Sequence, residues 1–122
     1  MIRPFQESDF NEVCILLSAN EVEPPAEISD LGLCLIAEED NKVTGCIAAQ
    51  FGNSTKAYCD FYTATKTTTA WNLLQHMMTV LRLHGVKRMD FLIEQYNENF
   101  LCMALKYGCR RLNPLHWMRC EI

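Results

Sequence analysis

Residues 33–38, 43–51 and 56–63 are three strand-length segments in direct succession, and the third runs into a stretch of helical period. The first is an apolar run closed by the polar turn Glu39-Asp40-Asn41-Lys42, and Gly52-Asn53-Ser54 turns the chain after the second. The third is rich in Tyr, Phe and Thr, which suit a pleated, half-buried surface. Connections this short allow only antiparallel pairing, so the centre of the molecule is expected to be an antiparallel sheet. Past Thr65-Lys66-Thr67-Thr68-Thr69 the period changes. Ala70, Leu74, Met77 and Leu81 recur at helical spacing with Trp71 and Met78 beside them, and Gly85 follows as a C-terminal cap. Residues 87–94 alternate again, with Met89, Phe91 and Ile93 on one face. Strand, helix and strand over residues 57–94 are long enough for a parallel crossover.

The flanks complete the order. Residues 2–5 read as a first strand. Ser8-Asp9 offers an N-cap, with Glu12 three residues after Asp9 as in a capping box, and Phe10, Val13, Cys14 and Leu17 give an amphipathic helix over residues 10–19. Residues 20–30 are acidic and contain Pro24-Pro25, so they read as a loop. Residues 98–107 form a further helix closed by Gly108, and His116, Met118, Cys120 and Ile122 alternate along a terminal strand. The order is β-α-β-β-β-α-β-α-β, an α/β class with a mixed central sheet and helices on both faces, in one domain over residues 1–122.

Composition removes several function classes. At 122 residues, 49% hydrophobic and 21% charged, the chain is globular in character and not disordered. No run approaches the ~18 apolar residues of a membrane span, and Met1-Ile2-Arg3-Pro4-Phe5 lacks a signal-peptide core, so a soluble, cytoplasmic protein with no membrane partner is expected. A net charge of −4 argues against a nucleic-acid partner. Seven cysteines, an odd number with no Cys-x-x-Cys pair and mostly apolar neighbours, read as reduced core thiols. His76 and His84 are eight apart on one helix and His116 is remote, so no metal is expected.

The layout resembles the GNAT acetyltransferase superfamily over nearly the whole chain. Four segments carry the resemblance: Ile2-Arg3-Pro4-Phe5 through Asp9, the hairpin Val43-Thr44-Gly45-Cys46-Ile47, residues 57–84, and residues 97–109. It implies acetyl-CoA as co-substrate and an unknown amine as acceptor, attacked directly in a ternary complex. The coenzyme would be held by Tyr62, Thr63, Ala64, Thr65, Lys66, Thr67, Thr68, Thr69, Ala70 and Asn97. A loop that opens a helix points backbone N–H groups at a pyrophosphate.

The chain departs from the family's Gln/Arg-x-x-Gly-x-Gly/Ala pattern, which falls on Thr65 to Ala70 and is met only by Ala70. Thr65 and Thr68 replace its first two fixed residues, while three threonine hydroxyls and Lys66 offer other phosphate donors. Ala104 stands where the family often has a tyrosine that protonates the thiolate, and Cys109 replaces the usual Phe. Tyr107, about one turn on, and Tyr96 are the remaining tyrosine candidates. Glu94 is the candidate acceptor of the amine's proton, with Asp60 behind it. The acidic residues from Glu21 to Asp30 would border the acceptor site, and a homodimer partner would complete it. The alternative from a different class is a catalytically degenerate GNAT-fold binding or structural module, with or without retained coenzyme binding.

Overall fold

A computed structural model describes residues 1–25, 33–53, 55–93, 98–111 and 117–122. Its strands are β1 (Ile2–Pro4), β2 (Leu33–Glu39), β3 (Lys42–Phe51), β4 (Lys56–Ala64), β5 (Arg88–Leu92), β6 (Arg110–Arg111) and β7 (Trp117–Glu121). They form one sheet in the order β1-β2-β3-β4-β5-β7-β6, with helices α1 (Phe10–Ala19), α2 (Thr67–Leu83) and α3 (Glu98–Tyr107). β4 and β5 are parallel and every other neighbouring pair is antiparallel, so the mixed sheet and the crossover through α2 are as expected. A single 3-10 turn (Glu7–Asp9) precedes α1, and the two-residue β6 has no counterpart in the sequence reading.

Each face of the sheet has its own core. Leu73, Leu74, Met77, Met78 and Leu81 of α2 pack with Met89 and Phe91 of β5 and Phe100 and Ala104 of α3. On the opposite face, Val13 and Leu17 of α1 pack on Ile36 and Cys46. The hairpin between β2 and β3 closes through Asp40 (φ 51°) and Asn41 (φ 63°), residue types that tolerate the left-handed region. α2 and α3 both end on glycines of positive φ, Gly85 (83°) and Gly108 (103°). The N–H of Val86 bonds the carbonyl of Leu81, and that of Cys109 the carbonyl of Ala104, which satisfies last-turn acceptors.

The expected capping box is not formed. Asp9 gives no side-chain cap to α1. Its carboxylate is claimed by Arg3, whose guanidinium donates at 2.8 and 2.9 Å, and by the backbone N–H of Gln6 at 2.9 Å. A bidentate pair with a guanidinium outweighs a single capping bond from a backbone N–H. Glu12 instead accepts from the backbone N–H of Val43 at 3.1 Å, tying α1 to β3. Arg3 also donates to Glu38 at 2.7 Å, so one guanidinium joins β1, the 3-10 turn and β2. All seven cysteines are free, four of them buried; Cys102 is exposed, unlike the core thiols expected.

Two aspartates make stability depend on acid. The hydrogen bond from Arg3 holds the Asp9 carboxyl below its ordinary pKa. For Asp90, burial raises the pKa, but hydrogen bonds from Arg119 and Lys56 more than offset this and leave it lowered. A lowered native pKa contributes stability that is complete above the unfolded value of about 3.9 and is lost as pH falls through the native value. Thermal midpoints are therefore expected to be level from about pH 7 to 5 and to drop steadily below about pH 4. Arg3→Met should remove the share of that drop due to Asp9, as differential scanning calorimetry at constant ionic strength would show.

Candidate functional site

The site begins with a bulge. Along β3, Ala48 faces Phe61 and the next residue, Ala49, faces Cys59, which leaves Asp60 as an extra residue in β4. A bulge of this kind bends its strand and changes the phase of its side chains. Before it, Ala57 and Cys59 face the α2 core; after it, Tyr62 and Ala64 do so, while Phe61 turns to the α1 side. The bent strand leaves its parallel neighbour. Only Lys56, Ala57 and Tyr58 pair with Arg88, Met89 and Asp90, although β4 continues to Ala64 and β5 to Leu92.

A cleft of about 360 Å³ opens where the two strands part. Tyr62, Thr63, Ala64, Thr65, Lys66, Thr67 and Ala70 form one wall. Leu92 and Phe100 close it from β5 and α3, and Asn20, Val22, Asp60 and Phe61 line the α1 side. The volume lies in the range of small-molecule sites. The Tyr62 hydroxyl donates to the Leu92 carbonyl across the gap, and its ring stacks on Phe100 at 5.7 Å.

The far end of the cleft is the start of α2. Lys66 is its N-cap in extended conformation (φ −133°, ψ 146°) with no side-chain cap, and Thr65 N–H is anchored on the Thr44 carbonyl at 2.8 Å. The helix begins at Thr67, earlier than the periodicity from Ala70 suggests. Ala70 N–H bonds the Lys66 carbonyl at 3.1 Å, and the N–H groups of the first turn before it have no intrahelical acceptor. The positive end of the α2 dipole thus meets the cleft beside an exposed Lys66. No residue from Thr65 to Ala70 has positive φ, so the segment does without the glycine conformation that Thr68 could not readily supply. Gly45 is needed for a different reason. A Cβ there would lie 2.8 Å from Leu73 Cδ1, 3.0 Å from Ala64 Cβ and 3.2 Å from the Thr63 carbonyl, so β3 supports the cleft wall at a distance only glycine allows.

Seven of the residues assigned to the coenzyme therefore line one cleft. Thr68, exposed, and Thr69, half-buried, do not line it and lie in the first turn of α2. Glu94, Tyr96 and Asn97 lie outside the described residues. Tyr107 is half-exposed and packs edge-on against Trp71 at 5.2 Å, away from the cleft lining, and Ala104 is wholly buried in the core. Asp60, a secondary candidate in the sequence, stands in the lining as the bulge residue. Cys59 also lines the cleft, but burial pushes its thiol pKa well up, which leaves it a poor nucleophile. Among the described residues, no three His, Cys, Asp or Glu side chains are grouped to hold a metal, and no helix is long and apolar enough to cross a membrane.

Phe100, Leu92, Asn20 and Val22 are lining residues that the sequence reading did not assign. Phe100 had a signal, since it lies four residues before Ala104 on the buried face of α3. Leu92 is an exposed residue of β5 and Asn20 follows the end of α1, and neither carries a local pattern.

No protein-family model matches the chain, and no curated protein is similar to it in sequence. Solved structures are similar in fold. The Ard1 protein of Thermoplasma volcanium matches with a TM-score of 0.84 at 15% identity, over 100% of this chain and 97% of that one. A GNAT family acetyltransferase from Brucella melitensis, solved in complex with acetyl-CoA, matches with a TM-score of 0.75 at 18% identity, over 100% and 87%. An IAA acetyltransferase from Bacillus cereus matches with a TM-score of 0.78 at 14% identity, over 100% and 99%. The chain has the fold of the GNAT acetyltransferases.

Proposed function

We propose that the chain transfers an acetyl group from acetyl-CoA to an amine by direct attack in a ternary complex. One observation carries this: the cleft between β4 and β5 runs without interruption to the first turn of α2. The acetyl-CoA complex of the Brucella melitensis enzyme, which shares the fold, supports it. Lys66, the Thr65 and Thr67 hydroxyls and the first-turn N–H groups of Thr67, Thr68 and Thr69 would meet the pyrophosphate. Ala70, small and buried, would let the chain approach it closely. The backbone of Tyr62, Thr63 and Ala64, beyond the reach of the β5 ladder, would pair with the pantetheine arm, and Asn97 would border it.

The chain's own groups would then handle protons. The attacking nitrogen must be neutral, and Glu94 would take its proton. Tyr107 would reach the coenzyme sulfur only through a water or a turn of its ring, because Trp71 stands between it and Phe100. A second copy of the chain could contribute to the acceptor side, which sedimentation equilibrium would reveal as a dimer.

Calorimetric titration of the reduced protein with acetyl-CoA tests the reading. Micromolar affinity is expected, weakened tenfold or more in Lys66→Ala with Thr67→Ala, together with acetylation of a panel of primary amines. No binding up to millimolar coenzyme would overturn it. The burial of Ala104 at the position of the family's acid favours one second reading, a coenzyme-binding module without turnover. Micromolar affinity with no acetylated product would establish that instead.

A further inference from the structure

Of the side chains lining the cleft, two are charged, Lys66 and Asp60. They stand six positions apart along β4 and its exit, about 20 Å at the rise of a strand, so they belong to opposite ends. Lys66 and the α2 dipole suit an anion. The other end presents a carboxylate. Asp60 is exposed, on the α1 side of the sheet, because the bulge adds it to the strand there. It is also oriented: Gln50 Nε2 donates to Asp60 Oδ2 at 3.4 Å, and the Tyr58 hydroxyl fixes Gln50 by donating to its Oε1 at 2.6 Å. Between the two ends the walls are largely apolar, with Phe61, Leu92 and Phe100.

These surroundings ask opposite things of an amine. Attack on a thioester needs a neutral nitrogen, which apolar walls favour by disfavouring charge. A carboxylate favours an ammonium ion. One nitrogen cannot satisfy both. Building on the transferase reading, we infer that the acceptor is a small diamine, one nitrogen reacting among the apolar walls while Asp60 anchors the other as a cation. Glu21 and Glu23, exposed on either side of the lining residue Val22, extend the negative potential at that mouth. A cleft of about 360 Å³ shared with the pantetheine arm restricts the acceptor to a short one.

The test uses 1,4-diaminobutane and butylamine, which differ in the second nitrogen. Their binding to the full chain saturated with coenzyme A is measured calorimetrically for the unaltered protein, Asp60→Asn and Asp60→Glu. The diamine is expected to bind at least tenfold tighter than butylamine, Asp60→Asn to erase that preference, and Asp60→Glu to keep most of it. Coenzyme affinity should be equal in all three. In turnover, the diamine-to-butylamine ratio of kcat/KM should fall at least tenfold in Asp60→Asn, through KM. Equal affinity for the two amines, absence of diamine binding, or a preference that survives Asp60→Asn would overturn the inference. So would a fall in kcat shared by both amines, which would place Asp60 at the reacting nitrogen. Diamine binding through Asp60 without acetylated product would sink the transferase reading alone.

Discussion

Asp90→Ala is expected to lower the free energy of unfolding by about 1–3 kcal/mol, the cost of leaving the partners of a partly buried, charge-assisted hydrogen-bond cluster unsatisfied. Asp90 is 6% exposed, and Arg119 donates to both its oxygens, at 2.8 and 3.0 Å. Lys56 Nζ approaches Oδ2 at 3.2 Å. One carboxylate thus joins β4, β5 and β7 where their cations converge. Its removal leaves the Arg119 guanidinium, its side chain 18% exposed, without the group that compensates its burial. The location amplifies the loss. Three residue pairs make up the whole β4–β5 ladder, and Tyr58–Asp90 is the last before the strands part. Urea denaturation at pH 7 measures the stability. Coenzyme titration of the folded fraction should show weaker binding as the splay widens. A loss below about 1 kcal/mol would mean the cluster behaves as an exposed surface pair.

The fold was legible where period and punctuation agreed. Gly85 and Gly108 mark the ends of α2 and α3 because glycine takes the left-handed C-terminal cap without a Cβ penalty. Met89, Phe91 and Ile93 are all buried, as their alternation requires. The site was legible in outline, since the residues joining β4 to α2 fall along one cleft whatever their side chains. Its particulars depend on partners far away in sequence. The competition of Arg3 for Asp9 is an interaction between side chains that local capping rules do not contain. The bulge at Asp60 is set by pairing with Ala48 and Ala49, and no residue of β4 announces it. Tyr107 has helical spacing compatible with the cleft, but its ring finds Trp71, an α2 residue 36 positions earlier.

Phe100→Ala is expected to cost about 3–5 kcal/mol of stability, the range for deleting a buried aromatic ring. Phe100 is 1% exposed, in the first turn of α3, and its ring meets those of Tyr62, stacked at 5.7 Å, and Trp71, edge-on at 5.7 Å. Such contacts add about 0.5–1.5 kcal/mol per pair beyond the area buried. The ring also forms a wall of the cleft, so the cavity left by its removal joins the cleft and admits water to an apolar stretch. Two readouts separate packing from site. Thermal unfolding should register the lost core contacts, and Phe100→Leu should recover most of that loss because it refills the volume. Coenzyme affinity should fall at least tenfold in Phe100→Ala, because Tyr62 loses the ring against which it is held beside the pantetheine path. If Phe100→Leu restored stability and coenzyme affinity equally, the wall would act through volume alone. If it restored stability but not affinity, the aromatic stack would be what holds β4 in the shape that accepts the arm.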